Sequence, residues 1–143
     1  MTNGDPTAGL LTTIMRGVDT AISVADDIEA GLLDCSKRLR VDPSTDTFTA
    51  LSVGISNLGD MVALIQEIHK GCAHLQNNPV PSEFVTVFEK SIDLFREAQA
   101  SMERQDWVSL ADLIQYEISP ILKESKQELI VVRDCLAQGQ TTC

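Results

Sequence analysis

The chain has 143 residues, 43% of them hydrophobic, only 4% aromatic, and a formal net charge of -10. The length favours one domain, and a core built from Leu, Ile, Val and Ala suits helix–helix seams better than a sheet sandwich. The acidic field repels phosphate backbones and anionic headgroups, so neither nucleic acid nor a membrane surface is an expected partner.

Strong breaks fall at Pro6, at Val41-Asp42-Pro43-Ser44 and across residues 76–82, with a weaker one at Arg104-Gln105-Asp106. They delimit four periodic segments. The first helix is predicted over residues 7–40. Its seam, Leu11, Ile14, Val18, Ala21, Ala25, Ile28, Leu32, Cys35 and Leu39, alternates spacings of three and four, the heptad pattern that keeps one stripe facing a neighbour. Pro6 suits its start, and the cluster Lys37, Arg38 and Arg40 complements its C-terminal dipole.

The second helix is predicted over 45–75, capped from Ser44, with a seam of Phe48, Leu51, Ile55, Leu58, Val62, Ile65, Cys72 and Leu75, and Ile68 or His69 filling the gap. Gly54 and Gly59 lie inside it, each weakening the helix by about 1 kcal/mol relative to Ala. The expected compensation is close approach of another helix, at Gly17 or Ala21. The third helix, 82–104, has Ser82 as its expected N-cap and a seam of Phe84 or Val85, Phe88, Ile92, Phe95, Ala98 and Met102. The fourth, 106–137, starts from Asp106 and carries Leu110, Ile114, Ile118, Ile121, Leu129, Val132 and Leu136, with Ser125 on the same stripe. Pro120 falls in its interior. It cannot donate to the Tyr116 carbonyl and its ring clashes there, so a bend is expected, with that carbonyl open to water or a partner.

Short breaks between long amphipathic segments imply antiparallel neighbours. The fold class is therefore all-α: a single up-and-down four-helix bundle over residues 1–143, with flexible ends at 1–6 and 138–143. Cys35, Cys72, Cys135 and Cys143 form no C-x-x-C pair, which argues against a zinc knuckle or a thioredoxin-like motif. The polar stretch 1–6 has no signal-peptide regions, and no run approaches the roughly 18 apolar residues of a membrane span. Free thiols and a bacterial cytoplasmic location are expected.

The chemistry-bearing residues are sparse. There is no phosphate-binding Gly loop, no Gly-x-Ser-x-Gly elbow and no readable Ser/His/acid set. The expectation is a non-enzyme without cofactor or metal. His69 and His74, the only histidines, stand five apart, which turns them roughly 140° from each other on a helix. His69 and Cys72 share a face, so an alternative is a metal-binding bundle completed from another helix. The run His69-Lys70-Gly71 resembles bacterial histidine phosphotransfer domains, which place Lys and Gly three and four residues after the phosphorylated His. That resemblance implies His69 as the phosphorylated residue. Here Lys70 and Gly71 follow at once, so the ammonium points about 100° away.

The most distinctive stretch is 106–122, which holds the only Trp and the only Tyr. Asp112, Tyr116 and Pro120 share one face, and Glu117 stands at a seam edge. The candidate partner-binding residues are Trp107, Asp112, Leu113, Tyr116, Glu117 and Pro120. The pattern D-W-x-x-L-A-D-L-I-x-Y-E-I-x-P resembles a segment of uncharacterised bacterial helical-bundle proteins. Over residues 88–126 the seam spacing is similar to that of flagellar export chaperones, without their Tyr-rich N-terminal signature. That resemblance implies grooves that bind another protein. Apolar residues off or beside the seams, Val24, Leu33, Leu64, Leu113, Ile130 and Val131, point the same way, and residues 129–136 suit pairing with a second copy. The expected function is protein binding, adaptor-like or chaperone-like.

Overall fold

Pro6 opens helix α1 (Pro6–Val41), where a missing N–H costs nothing because first-turn donors have no intrahelical acceptor. This computed structural model describes residues 6–75 and 80–138, so the expected flexible ends, apart from Pro6 in α1 and Gln138 at the last C-cap, and most of the 76–82 break, lie outside the described residues. The Ser44 hydroxyl caps α2 (Thr45–Ala73), accepting from the Thr47 N–H at 3.3 Å. The buried Thr47 hydroxyl in turn donates to the Asp42 carbonyl at 3.2 Å, fixing the turn from inside. Helix α3 (Ser82–Glu103) departs from expectation: its N-cap is Pro81, and the Ser82 hydroxyl turns to the Glu83 carboxylate at 3.3 Å instead of to a backbone N–H.

The exit from α3 is a Schellman turn. The Asp106 N–H reaches the Ser101 carbonyl at 2.9 Å, and the Gln105 N–H reaches Met102 at 3.0 Å. This places Gln105 at φ 56°, a left-handed conformation normally given to glycine. Asp106 then caps α4 (Trp107–Leu113), accepting from the Ser109 N–H at 3.2 Å. The bonds to Ser109 hold the Asp106 carboxyl below its ordinary pKa.

The fourth rod continues without a gap through a π-helical turn (Ile114–Ile118) into α5 (Ser119–Ala137). Proline clashes with the carbonyl four residues before it, and widening the preceding turn moves that carbonyl away. The Ser119 N–H accordingly reaches back five residues, to Ile114. Where the sequence predicts a bend, the chain takes up one extra residue in a turn.

Helix α1 packs against α2 and the α4–α5 rod, and α3 packs against the same two; among the described residues the diagonal pairs make no close backbone approach. The bundle is up-and-down. Its register along α1 and the fourth rod is marked by ion pairs: Asp19–Arg133 at 3.4 Å, Asp26–Lys126 at 2.6 Å, Glu29–Lys123 at 3.5 Å and Arg40–Asp112 at 2.6 Å. Glu29 is only 14% exposed; the other side chains of these pairs are partly to largely exposed, and such pairs are worth about 0–1 kcal/mol each, so they select register more than they stabilise.

The core holds Leu32, Leu51, Leu110, Ile114, Ile118 and Leu129, all fully buried. The α1 seam from Ile14 to Leu39 is buried as its spacing requires. The glycine contacts differ from expectation: a Cβ at Gly54 would lie 2.8 Å from Leu32 Cδ2, and one at Gly59 would lie 2.7 Å from the Phe95 ring. Ser125 is buried, as its seam position predicts, and shares a hydrogen bond with Ser91 at 3.3 Å across α3 and α5. Cys35 and Cys72 are free and buried, whereas Cys135 is disulfide-bonded, which corrects the expectation of free thiols throughout. Desolvation pushes the Cys72 thiol up to about 11. Helix α2 carries an 18-residue window of mean hydropathy 1.5, long and apolar enough by composition to cross a membrane; a third of that window (33%) is buried in the bundle.

Candidate functional site

A cleft of about 380 Å³ opens where the end of α3 faces the π turn. Glu97, Ser101 and Arg104 line it from the α3 side; Asp112, Tyr116 and Glu117 line it from the other. The Schellman turn brings the walls together, because it folds Arg104 back beside the start of the fourth rod. The Arg104 guanidinium lies 3.5 Å from the Ser101 hydroxyl. Proline 120 has no N–H to give to either Gln115 or Tyr116, both at exposed positions, so a backbone carbonyl here is left to water or a ligand.

The predicted surface residues separate. Tyr116 is 66% exposed and stands over the cleft with Glu117. Asp112 lines it too, but its carboxylate is held by Arg40, whose guanidinium also donates to Gln115 at 3.1 Å. Pro120 is exposed but outside the lining. Leu113 is 5% exposed and packs in the core, with its edge also lining the cleft. Trp107 is half-buried, its indole stacked on Phe48 with centroids 4.7 Å apart and planes at 27°, so it fastens α4 to the start of α2. Sequence reasoning missed the α3 wall. The signal was present in the spacing of Glu97, Ser101 and Arg104, four and three apart, which puts them on one helical face.

The alternative centres are placed as follows. His69 is half-buried, its ring 6.2 Å from Phe84 and 6.3 Å from Phe88, so the imidazole lies against α3. Lys70 is engaged with Glu67 at 3.4 Å. Among the described residues no group of three or more His, Cys, Asp or Glu gathers to hold a metal ion. Of the off-seam apolar residues, Val131 is 39% exposed, Leu33 and Ile130 are half-buried, and Val24 and Leu64 line a second opening, a groove of about 590 Å³ between α1 and α2.

A family model described as a domain of unknown function (DUF8042) matches residues 18–128, and the chain belongs to that family. The matched segment contains every residue that lines the cleft and every residue that lines the groove. No curated protein and no solved structure matches the chain.

Proposed function

For a member of this family we propose a protein-binding role without chemistry of its own: an adaptor-like or chaperone-like bundle that engages another protein at the cleft beside the π turn. The observation that carries the reading is Tyr116, the only tyrosine, 66% exposed on a π-helical turn. A tyrosine so exposed contributes little to the fold. π turns interrupt regular hydrogen bonding and recur at functional sites. Tyrosine is also among the residues that most often dominate binding energy at interfaces. The lining suits a polar segment, since Arg104 offers a guanidinium fork and Glu97 and Glu117 offer carboxylates. The resemblance of segment 106–120 to bacterial helical-bundle proteins, and of the seam spacing to flagellar export chaperones, supports a cytoplasmic client or adaptor partner.

Tyr116→Ala and Glu117→Lys test the reading in affinity capture from the native host, with Gln99→Ala on exposed α3 surface as control. Both test variants are expected to keep wild-type helicity and cooperative unfolding. Each should lose a protein that the wild type and Gln99→Ala retain. Retention of the same proteins by all four forms would refute the proposal.

A further inference from the structure

The larger opening lies on another side of the bundle. The groove of about 590 Å³ runs between α1 over residues 20–35 and α2 over residues 50–64. At 1.5 Å per residue each wall is roughly 21 Å long. The floor is apolar, with Val24, Ile28 and Cys35 from α1 and Val53, Met61 and Leu64 from α2. Gly31 borders it, and a Cβ there would meet nothing within 4 Å, so the position faces open space.

The rim is acidic: Asp27, Asp34 and Asp60 line the groove, and no Lys or Arg does. Asp34 has a same-helix pair with Arg38 at 3.5 Å. Asp27 and Asp60 have no ion-pair partner among the described residues. Helix α1 thus treats its acids in two ways. Those turned toward α5, Asp19, Asp26 and Glu29, each meet a cation of this chain. Those turned toward α2 meet none across the seam. The outer face of α2 adds a second, independent mark. Between residues 47 and 66 its only charged side chain is Asp60, and the other exposed positions are Thr49, Ser52, Val53, Ser56, Asn57, Ala63 and Gln66. Charge depletion around an apolar floor characterises the centre of an interface.

We infer that the α1–α2 groove receives an amphipathic helix of another protein, about four turns long, with an apolar stripe on the floor and Lys or Arg facing Asp27, Asp34 and Asp60. Two parallel helical walls present no strand edge to pair with, so a helix laid along them is the fitting occupant. A second copy of this chain is a poorer fit, because a two-fold contact would set one acidic rim against another at a net charge of -10 per chain. An anionic bilayer is repelled for the same reason. The inference shares no residue with the cleft and stands independently of it.

The test uses a labelled synthetic peptide of about 18 residues, long enough for the groove at 1.5 Å per residue, with Leu along one helical face and Lys flanking it. A second peptide carries Glu in place of Lys. Fluorescence anisotropy reads binding to the full chain. Gly31→Leu fills the groove without touching charge, and circular dichroism confirms that it folds. Asp27→Lys reverses one rim charge at an exposed site. Asp93→Lys makes the same charge change on exposed α3, which does not touch α1. The Lys peptide should bind the wild type, weaken with added salt, and lose about tenfold or more with Gly31→Leu and with Asp27→Lys. Asp93→Lys and Tyr116→Ala should bind it as the wild type does. The inference fails if the Lys peptide does not bind, if the Glu peptide binds equally, if Gly31→Leu binds undiminished, or if Asp93→Lys weakens binding as much as Asp27→Lys. It also fails if sedimentation finds a wild-type dimer that Gly31→Leu converts to monomer, since the occupant would then be a second copy.

Discussion

Truncating Trp107 to Ala separates a structural role from a docking role more sharply than any other single change. The indole is half-buried, stacked on Phe48 at 4.7 Å, and part of the apolar cluster at the end of the bundle. Truncation returns about 120 Å² of apolar surface to water, which at ~25 cal/mol per Å² is about 3 kcal/mol. Loss of the stack adds about 0.5–1.5 kcal/mol, and relaxation at the bundle end recovers a similar amount. The expected cost is therefore about 3 kcal/mol. Urea denaturation followed by far-ultraviolet circular dichroism reads this as a midpoint lowered by about 1.5 M, for a slope near 2 kcal/mol per M. Tyr116→Ala, at a 66% exposed site, should stay within about 0.5 kcal/mol of wild type. A double-mutant cycle with Phe48→Ala should return a coupling of about 1 kcal/mol. If Trp107→Ala unfolds within about 0.5 kcal/mol of wild type, the indole is not a clasp and belongs back on the list of partner contacts.

Three further outcomes follow from the same geometry. Gln105→Gly removes a left-handed non-glycine residue from the Schellman turn, so stability should rise by about 1 kcal/mol in the same urea assay; a loss would mean that the Gln105 side chain, not its backbone, holds the turn. The Cys72 thiol, fully buried and pushed up to about 11 by desolvation, should react with Ellman's reagent at pH 8 (on the order of one thiolate in a thousand) only as fast as the bundle opens; prompt labelling of the native protein would contradict its burial. Burial first, then the neighbouring Glu83 and Glu124, raise the pKa of Glu128 above its ordinary 4.5. The folded state then holds its proton more tightly than the unfolded chain, so this group's contribution is present at low pH and is lost as pH rises through the folded value. Glu128→Gln should raise the melting temperature at pH 7 and leave it unchanged at low pH, below the ordinary value; an equal rise at both would show that charge is not the cause.

The fold was legible where a long side chain must be inside. The α1 seam could be read residue by residue because its three-and-four spacing admits one buried stripe. The pattern fails for small polar residues that satisfy themselves. Ser91 is buried and donates to the Val87 carbonyl at 2.9 Å, and Ser36 is buried and donates across the bundle to the Ala111 carbonyl at 2.9 Å. A hydrophobic count sees neither. Pro120 was legible as a disturbance but not as its outcome. A lost donor and a steric clash are local facts, whereas the choice between a bend and a widened turn depends on what lies on either side. Leu113 before the turn, Ile114 and Ile118 at its two ends, and Ile121 and Leu122 after it are all buried. A bend would lift one group off the core, and an added residue keeps both in. The cleft was half legible for the same reason: Tyr116 and Glu117 stand on one element, and Arg104 joins them only through a turn set by the whole bundle.

The hydropathy of α2 and the charge pattern of α1 have a common explanation. A mean hydropathy of 1.5 over eighteen residues arises because the helix is apolar inside and nearly uncharged outside. Burial accounts for 33% of that window, and among the described residues no packing requires the remaining surface to avoid charge. On the opposite side of α1, where acids do meet partners, the chain supplies Lys123, Lys126 and Arg133 at matching register. Those same cation types are missing where Asp27 and Asp60 face outward over an apolar floor. A surface kept free of its own cations, beside acids that would hold them, is arranged for cations that arrive on another molecule.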